Sequence, residues 1–332
     1  MLGRRTVALI ADAVAAQALT ALREAWNLAG WAERMIDAPQ FTGGVPTSDE
    51  LAVVAADADA VLLVGPRARS PRTVLPAPIA MSGERAVPVA WLPFTSVADL
   101  RIFAAAAARV HGRAPATERM LAVLGERQPR FDRLADRVVR LAREDDTGML
   151  AADRWTAYEL TREDLAHRLG GGPALAVYVG HGRPIGWVGY AGLRAHHLAS
   201  PEPAAPEPAS PEPTGAIVSL TCKTASRRRT GLSFAEALPL RGISAAALGA
   251  VGPTLHTVNA RWAVRLAKAA PTAATVGDLV ARMCASDPAA THYRLLGDPT
   301  APLRSAALRD APLRDSDRSS AAEGRLRMQE AS

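Results

Sequence analysis

The chain has 332 residues, 34.9 kDa and 48% hydrophobic content, enough to bury one large or two modest domains and too apolar for a disordered chain. Its formal charge of +6 and pI near 10.0 invite a nucleic-acid reading, yet the basic residues are scattered arginines with one run, Arg227 to Arg229, and 5% aromatics leave little for base stacking. No nucleic-acid partner is expected, and no membrane partner either, because no uncharged apolar run approaches the ~20 residues of a bilayer span. Two cysteines, Cys222 and Cys284, cannot make a disulfide framework and fit a reducing compartment. Arg4 and Arg5 ahead of Thr6 to Ala11 mimic a signal peptide, but Asp12 interrupts the apolar stretch. A cytoplasmic location is the expectation.

In chain order, short apolar runs alternate with helical patterns, which predicts a layered α/β architecture with a largely parallel sheet. Strands are expected at Thr6 to Ala11, Asp59 to Val64 and Ala86 to Trp91, with one helix from Ala13 to Leu28. Pro93 closes the third strand, and Ser96 with Asp99 three residues on offers an N-cap for a helix through Val110. After His111-Gly-Arg-Ala-Pro the pattern restarts with a strand at Met120 to Leu124 and an amphipathic helix at Phe131 to Arg143. A boundary near residue 115 therefore divides a smaller Rossmann-like α/β subdomain, 1–114, from a second domain, 115–303. Further strands follow at Ala174 to Val179, Ala216 to Thr221 and Ala245 to Val251, and a helix at Val276 to Cys284 makes Cys284 a packed thiol. The Pro-Glu-Ala tract within 200–214 is expected to be a disordered insertion and 304–332 a disordered tail. No repeat of solenoid length is present.

Two predicted strands end directly in reactive side chains: Ala176 to Val179 runs into Gly180-His181-Gly182, and Ala216 to Thr221 into Cys222. Such ends are where parallel α/β sheets place their ligands. A cysteine nucleophile needs a base to make its thiolate, and a histidine on an adjacent strand supplies one. Without a Cβ on Gly182 a substrate carbonyl can approach, and the Gly182 and Cys222 amides could form an oxyanion hole. Each residue also has a plain reading: Cys222 as a buried structural thiol, His181 as a satisfied loop histidine.

These residues carry a resemblance. The stretch from Ala174 to Leu303 resembles the gingipain-type cysteine peptidases of the caspase-fold clan, which also holds caspases, separase and CHAT domains. Tyr178-Val-Gly-His-Gly182 resembles the histidine motif, with Trp187 in the place of a tryptophan found shortly after it, and Ile217 to Cys222 the nucleophile strand. Phe234 to Leu238 resembles the helix after the nucleophile, Gly249 to Thr254 the strand that ends near the cleft, and Leu296-Gly-Asp-Pro299 the closing turn. More weakly, Val87 to Leu100 resembles a strand-and-helix junction of the first subdomain. The resemblance implies a caspase-like layered sandwich with a mostly parallel sheet and a Cys222–His181 dyad that cleaves a protein or peptide substrate. It also implies an acid that orients the histidine or floors a P1 pocket, for which Glu126 and Asp132 are the available carboxylates; as a solvated loop acid Glu126 needs no function. Where relatives follow the cysteine with a small or polar residue and then Gly, this chain has Lys223, Thr224 and Ala225.

Weaker signals complete the survey. The loop Gly180 to Gly186 resembles a dinucleotide-binding glycine loop, but Pro184 and the residues beyond do not open the required helix. His196 and His197 lack a complement of ligands at useful spacing. Trp187, Thr254 and His256 are candidate cleft residues. The expected activity is that of a cysteine endopeptidase, without metal or organic cofactor, acting on a protein partner encoded nearby; the alternative is a non-catalytic caspase-fold interaction or scaffold module.

Overall fold

The computed structural model describes residues 4–38, 46–67, 75–115, 119–144, 148–199, 211–226, 231–285 and 287–306. Apolar runs buried on both sides become strands, and segments with one apolar stripe become the helices that cover them. The first part contains β1 (Thr6–Ala11), α1 (Ala13–Ala18), α2 (Thr20–Leu28), β2 (Ala32–Asp37), α3 (Ser48–Ala56), β3 (Ala60–Pro66), β4 (Ile79–Ser82), β5 (Arg85–Phe94) and α4 (Val97–His111). The second opens with β6 (Arg119–Gly125), α5 (Pro129–Arg143), β7 (Leu150–Arg154), α6 (Arg162–Leu169) and β8 (Leu175–Val179). A hairpin of β9 (Gly182–Arg183) and β10 (Gly186–Trp187) and two helical turns, α7 (Gly189–Gly192) and α8 (Ala195–Leu198), follow. The remainder is β11 (Thr214–Leu220), α9 (Phe234–Leu240), β12 (Ser244–Ala250), α10 (His256–Ala269), α11 (Val276–Cys284) and β13 (Tyr293–Gly297).

Apart from the hairpin, the strands form one sheet in the order β2-β1-β3-β5-β13-β12-β11-β8-β6-β7, with β4 paired to β5. All of the path is parallel except the β12–β13 step, which is antiparallel. The sheet therefore consists of two parallel blocks of opposite direction that meet at β13. Side chains alternate between its faces: Leu175, Val177 and Val179 join the core under α2, α4, α5, α10 and α11, whereas Ala176 and Tyr178 join the core under α3, α6 and α9. The boundary expected near residue 115 follows α4, and the segments on either side of it contribute to the same sheet.

Ser96 caps α4 through a box in which its hydroxyl accepts from the Asp99 amide and the Asp99 carboxylate accepts from the Ser96 amide. Two expectations differ from the structure, and edge strands appear that none of them covered. The helix expected over 13–28 breaks at Leu19, whose buried side chain sits in the core while its backbone leaves helical geometry. The edge strands β2 and β7 carry charged residues, as edges tolerate, and so lack the apolar signature of the central strands. The insertion and the tail begin to pack before and after the limits expected for them. Residues 200–210 lie outside the described residues, but the Glu212 amide donates to the Gly170 carbonyl (2.8 Å) and its carboxylate pairs with Arg109 (2.9 Å). Likewise 307–332 lie outside, but the Arg304 carbonyl accepts from Arg113 (2.7 Å) and the Ala306 amide donates to Gly172 (2.9 Å).

Candidate active site

Strands β8 and β11 are parallel neighbours in register, Val179 opposite Leu220, so the chain leaves both at one edge of the sheet. That register brings Gly182 against Thr221 and Cys222. A Cβ on Gly182 would lie 2.5 Å from Thr221 Oγ1 and would overlap the Cys222 carbonyl. Glycine is required here by the close approach of the two loops, and that approach juxtaposes the histidine and cysteine segments.

Cys222 is half-buried. Its Sγ accepts from the Thr254 amide at 3.3 Å and lies 3.6 Å from the Thr254 carbonyl and from its hydroxyl. Thr254 is in turn held by Asn259 Nδ2 on its hydroxyl (3.0 Å), and Asn259 Oδ1 accepts from the buried Tyr293 hydroxyl. Burial pushes the Tyr293 phenol well above its usual range, so it stays a donor. Lys223 adopts a left-handed backbone (φ 62°), with its amide on the Gly252 carbonyl (3.0 Å), and turns the chain sharply after the cysteine. The Cys222 amide itself makes no hydrogen bond among the described residues.

His181 is exposed and tied down by its main chain: the amide donates to Glu126 Oε2 (2.5 Å), and the carbonyl accepts from the Val188 amide (2.9 Å) and the Tyr178 hydroxyl (3.2 Å). Its ring stands edge-on to Phe131, 5.3 Å between centroids. Arg130 Nη2 lies 2.6 Å from His181 Nε2. A guanidinium has only donors, so Nε2 is the acceptor and the ring is neutral with its proton on Nδ1. Among the described residues no hydrogen bond joins the His181 ring to Cys222 Sγ.

Residues 57–304 match the model for peptidase family C25. The chain belongs to this family. It is a cysteine peptidase. No curated protein sequence matches this C25 chain. Among solved structures, it is similar to a chain of the complex of the Porphyromonas gingivalis RgpB pro- and mature domains, with TM-score 0.68, 15% identity and coverage of 91% of this chain and 80% of that one. Similarity to the Arg-specific cysteine proteinase gingipain R gives TM-score 0.66 at 15% identity, covering 91% and 78%. A third structure, described as a protease, gives 0.65 at 12% identity, covering 92% and 80%. The C25 peptidase thus has the gingipain fold, which is caspase-like.

The remaining sequence candidates fall in different places on the C25 chain. Glu126 is buried beside the histidine loop, but it holds His181 through the main chain; its other oxygen accepts from Gln128 Nε2 (2.8 Å). Asp132 is not brought to His181: it lies 3.3 Å from Arg154, which also binds Asp136 (2.6 Å) and Glu159 (3.2 Å). Trp187 is buried beneath the loop and does not line a cleft; it stacks on Tyr178 at 4.3 Å and donates to Ser219 Oγ (2.9 Å). Thr254 touches Cys222 Sγ directly, and exposed His256 lies across Phe131 from His181, 5.5 Å from that ring. Burial pushes the Cys284 thiol well above its usual range. Among the described residues no His, Cys, Asp and Glu group is arranged to hold a metal, and Arg227 to Arg229 lie outside them. Arg130, Phe131, Asn259 and Tyr293 escaped the sequence reading. Only the spacing of Phe131 and Arg130 at the start of an amphipathic helix after a strand end hinted at the first two.

Proposed function

We propose that the chain hydrolyses peptide bonds through a Cys222–His181 dyad, with an acyl-enzyme intermediate. Cys222 Sγ attacks the scissile carbonyl carbon as its proton passes to His181 Nε2. The resulting oxyanion is held by the Gly182 and Cys222 amides. The C–N bond then breaks, the imidazolium protonates the departing amine, and water attacks the thioester with His181 as base to release the acid and restore the thiol. The Thr254 amide donates to Sγ and fixes its position beside the histidine loop. The single observation that supports this reading most is the close contact of Gly182 with Cys222, which sets the histidine and cysteine loops side by side. The absent His181–Cys222 bond fits a resting enzyme whose catalytic hydrogen bonds tighten with substrate.

The dyad works on a protein or peptide substrate, and the unpaired thiols Cys222 and Cys284 support a cytoplasmic location. The arginine specificity in the name of gingipain R is not carried over, because neither candidate pocket carboxylate is available: Glu126 has both oxygens engaged and Asp132 belongs to the Arg154 cluster. Cleavage profiling on a peptide library tests the assignment. Cys222→Ala abolishes cleavage, Cys284→Ala retains it, and His181→Ala lowers kcat/KM by about 10²–10⁴-fold. Persistent cleavage by Cys222→Ala would move the nucleophile elsewhere.

A further inference from the structure

We propose that Arg130 reads a carboxylate beside the scissile bond, so that the enzyme selects acidic peptide sequences, and that seating this carboxylate frees His181 to take the Cys222 proton. The inference rests on the dyad assigned above and specifies its substrate class.

In the structure the Nε2 lone pair that must receive the thiol proton is occupied by Arg130 at 2.6 Å. Arg130 is exposed, its guanidinium lies over the Phe131 ring at 4.6 Å, and it makes no ion pair among the described residues. A neutral imidazole offers a guanidinium one lone pair and no charge, whereas a carboxylate offers a negative charge and two oxygens for a bidentate pair, and is the stronger partner. A substrate carboxylate at this position therefore draws Arg130 off the ring. Nε2 is then free, the S–H proton passes to it, and thiolate and imidazolium result. The remaining charges at the cleft have the same sign. Arg183 and Lys223 are exposed, and each is one residue from the Gly182–Cys222 contact. The nearby acids offer nothing to a basic side chain, since Glu126 is buried with both oxygens bonded and Asp132 is paired with Arg154. Among the described residues, a lysine or arginine next to the scissile bond meets the like charges of Arg130, Arg183 and Lys223, whereas aspartate or glutamate meets Arg130 as a partner.

Two measurements test this on the full chain. In the first, peptides carry Asp or Asn, Glu or Gln, or Lys at single positions on either side of the scissile bond. Wild type is expected to prefer the acid over its amide by about 10-fold or more at one position, the range given by a charge-assisted hydrogen bond. Arg130→Ala collapses that ratio to about twofold, and Arg130→Lys keeps part of it. In the second, Cys222 is alkylated by iodoacetate and by iodoacetamide, which differ by a carboxylate in place of an amide. The ratio of the rates is expected to fall about 5- to 10-fold in Arg130→Ala. Equal cleavage of acid and amide peptides, or ratios unchanged by Arg130→Ala, overturns the proposal while Cys222-dependent cleavage stands. An Arg130-dependent iodoacetate preference with no cleavage of any peptide supports the carboxylate site and defeats the dyad mechanism instead.

Discussion

Replacing Gly182 with alanine is expected to separate the proposed Cys222–His181 dyad without touching either side chain. The new Cβ would lie 2.5 Å from Thr221 Oγ1 and 2.8 Å from its Cγ2, and would overlap the Cys222 carbonyl. Ordinary Cβ contacts begin near 3.4 Å, so the loops must part by about 0.9 Å. Neither neighbour can swing aside, since Thr221 is buried and the carbonyl is backbone. A displacement of about 1 Å between reacting groups costs on the order of 10²-fold in rate, and overpacking a tight contact costs about 1–3 kcal/mol. Gly182→Ala is therefore expected to lose about 10²-fold in kcat/KM and about 1–3 kcal/mol in stability. Gly215→Ala is the matched control. There a Cβ would overlap the Ala174 carbonyl at the far end of the same two strands. It should destabilise by a similar amount and leave kcat/KM of the folded protein within about threefold, as distant sites act independently. Denaturant titration and steady-state kinetics, with Cys222 labelling to count active sites, provide the comparison. A folded Gly182→Ala enzyme within threefold of wild type would refute the idea that this contact sets the reacting geometry.

Glu126→Ala removes the acceptor of the His181 amide and is expected to lower kcat by about 10- to 100-fold, because the main-chain anchor of the histidine is lost and the loop drifts; wild-type kcat would show that the main-chain anchor is idle. Exchanging residues 201–210 for a Gly/Ser linker of equal length should leave the denaturation midpoint unchanged. Extending the exchange through Pro213 should cost about 1–3 kcal/mol, because buried Arg113, whose guanidinium pKa burial lowers to about 10, loses the Glu212 carboxylate, and the carbonyl at 213 that accepts from it loses the fixed proline backbone that aims it. Asp287 is expected to contribute to acid stability. Burial alone would raise its pKa, but hydrogen bonds from the Ala289 amide, Trp262 and Arg261 outweigh that and hold it below the usual value. Its contribution is complete above about pH 4 and is lost as pH falls through the folded-state pKa. Asp287→Asn should therefore destabilise by about 2 kcal/mol at neutral pH and flatten the acid limb of a denaturation profile; an unchanged limb would assign acid unfolding to other carboxylates.

The central strands were legible because they are buried on both faces, where apolar residues predominate: β1, β3, β6, β8, β11 and β12 all lie within a residue or two of their expected positions. The Ser96 cap was legible for a local reason, since a hydroxyl and an acid three residues apart can satisfy each other's amides without tertiary help. The strand ends exposed His181 and Cys222 in the same way. What surrounds them was hidden because those contacts are non-local. Arg130 reads as one of several arginines on a helix surface until the fold sets it against His181, 51 positions away. Asn259 and Tyr293 sit 34 positions apart and meet only because β13 runs beside β12. Glu126 could be singled out as an acid near a strand end, but its use of the His181 main chain depends on the turn geometry.

The position of β13 has a consequence for how the chain must be assembled. Its residues, Tyr293–Gly297, form the last strand in chain order among the described residues, yet they lie in the middle of the sheet between β5 and β12. Until they emerge from the ribosome, each parallel block has an unpaired inner edge, β5 on one side and β12 on the other, open to pairing with another chain. The same strand carries Tyr293, whose hydroxyl reaches Asn259 and so supports Thr254 at the cysteine. The thiol site is thus completed by the step that closes the sheet, and nascent or truncated chains lacking that strand would expose Cys222 without its supported Thr254 partner.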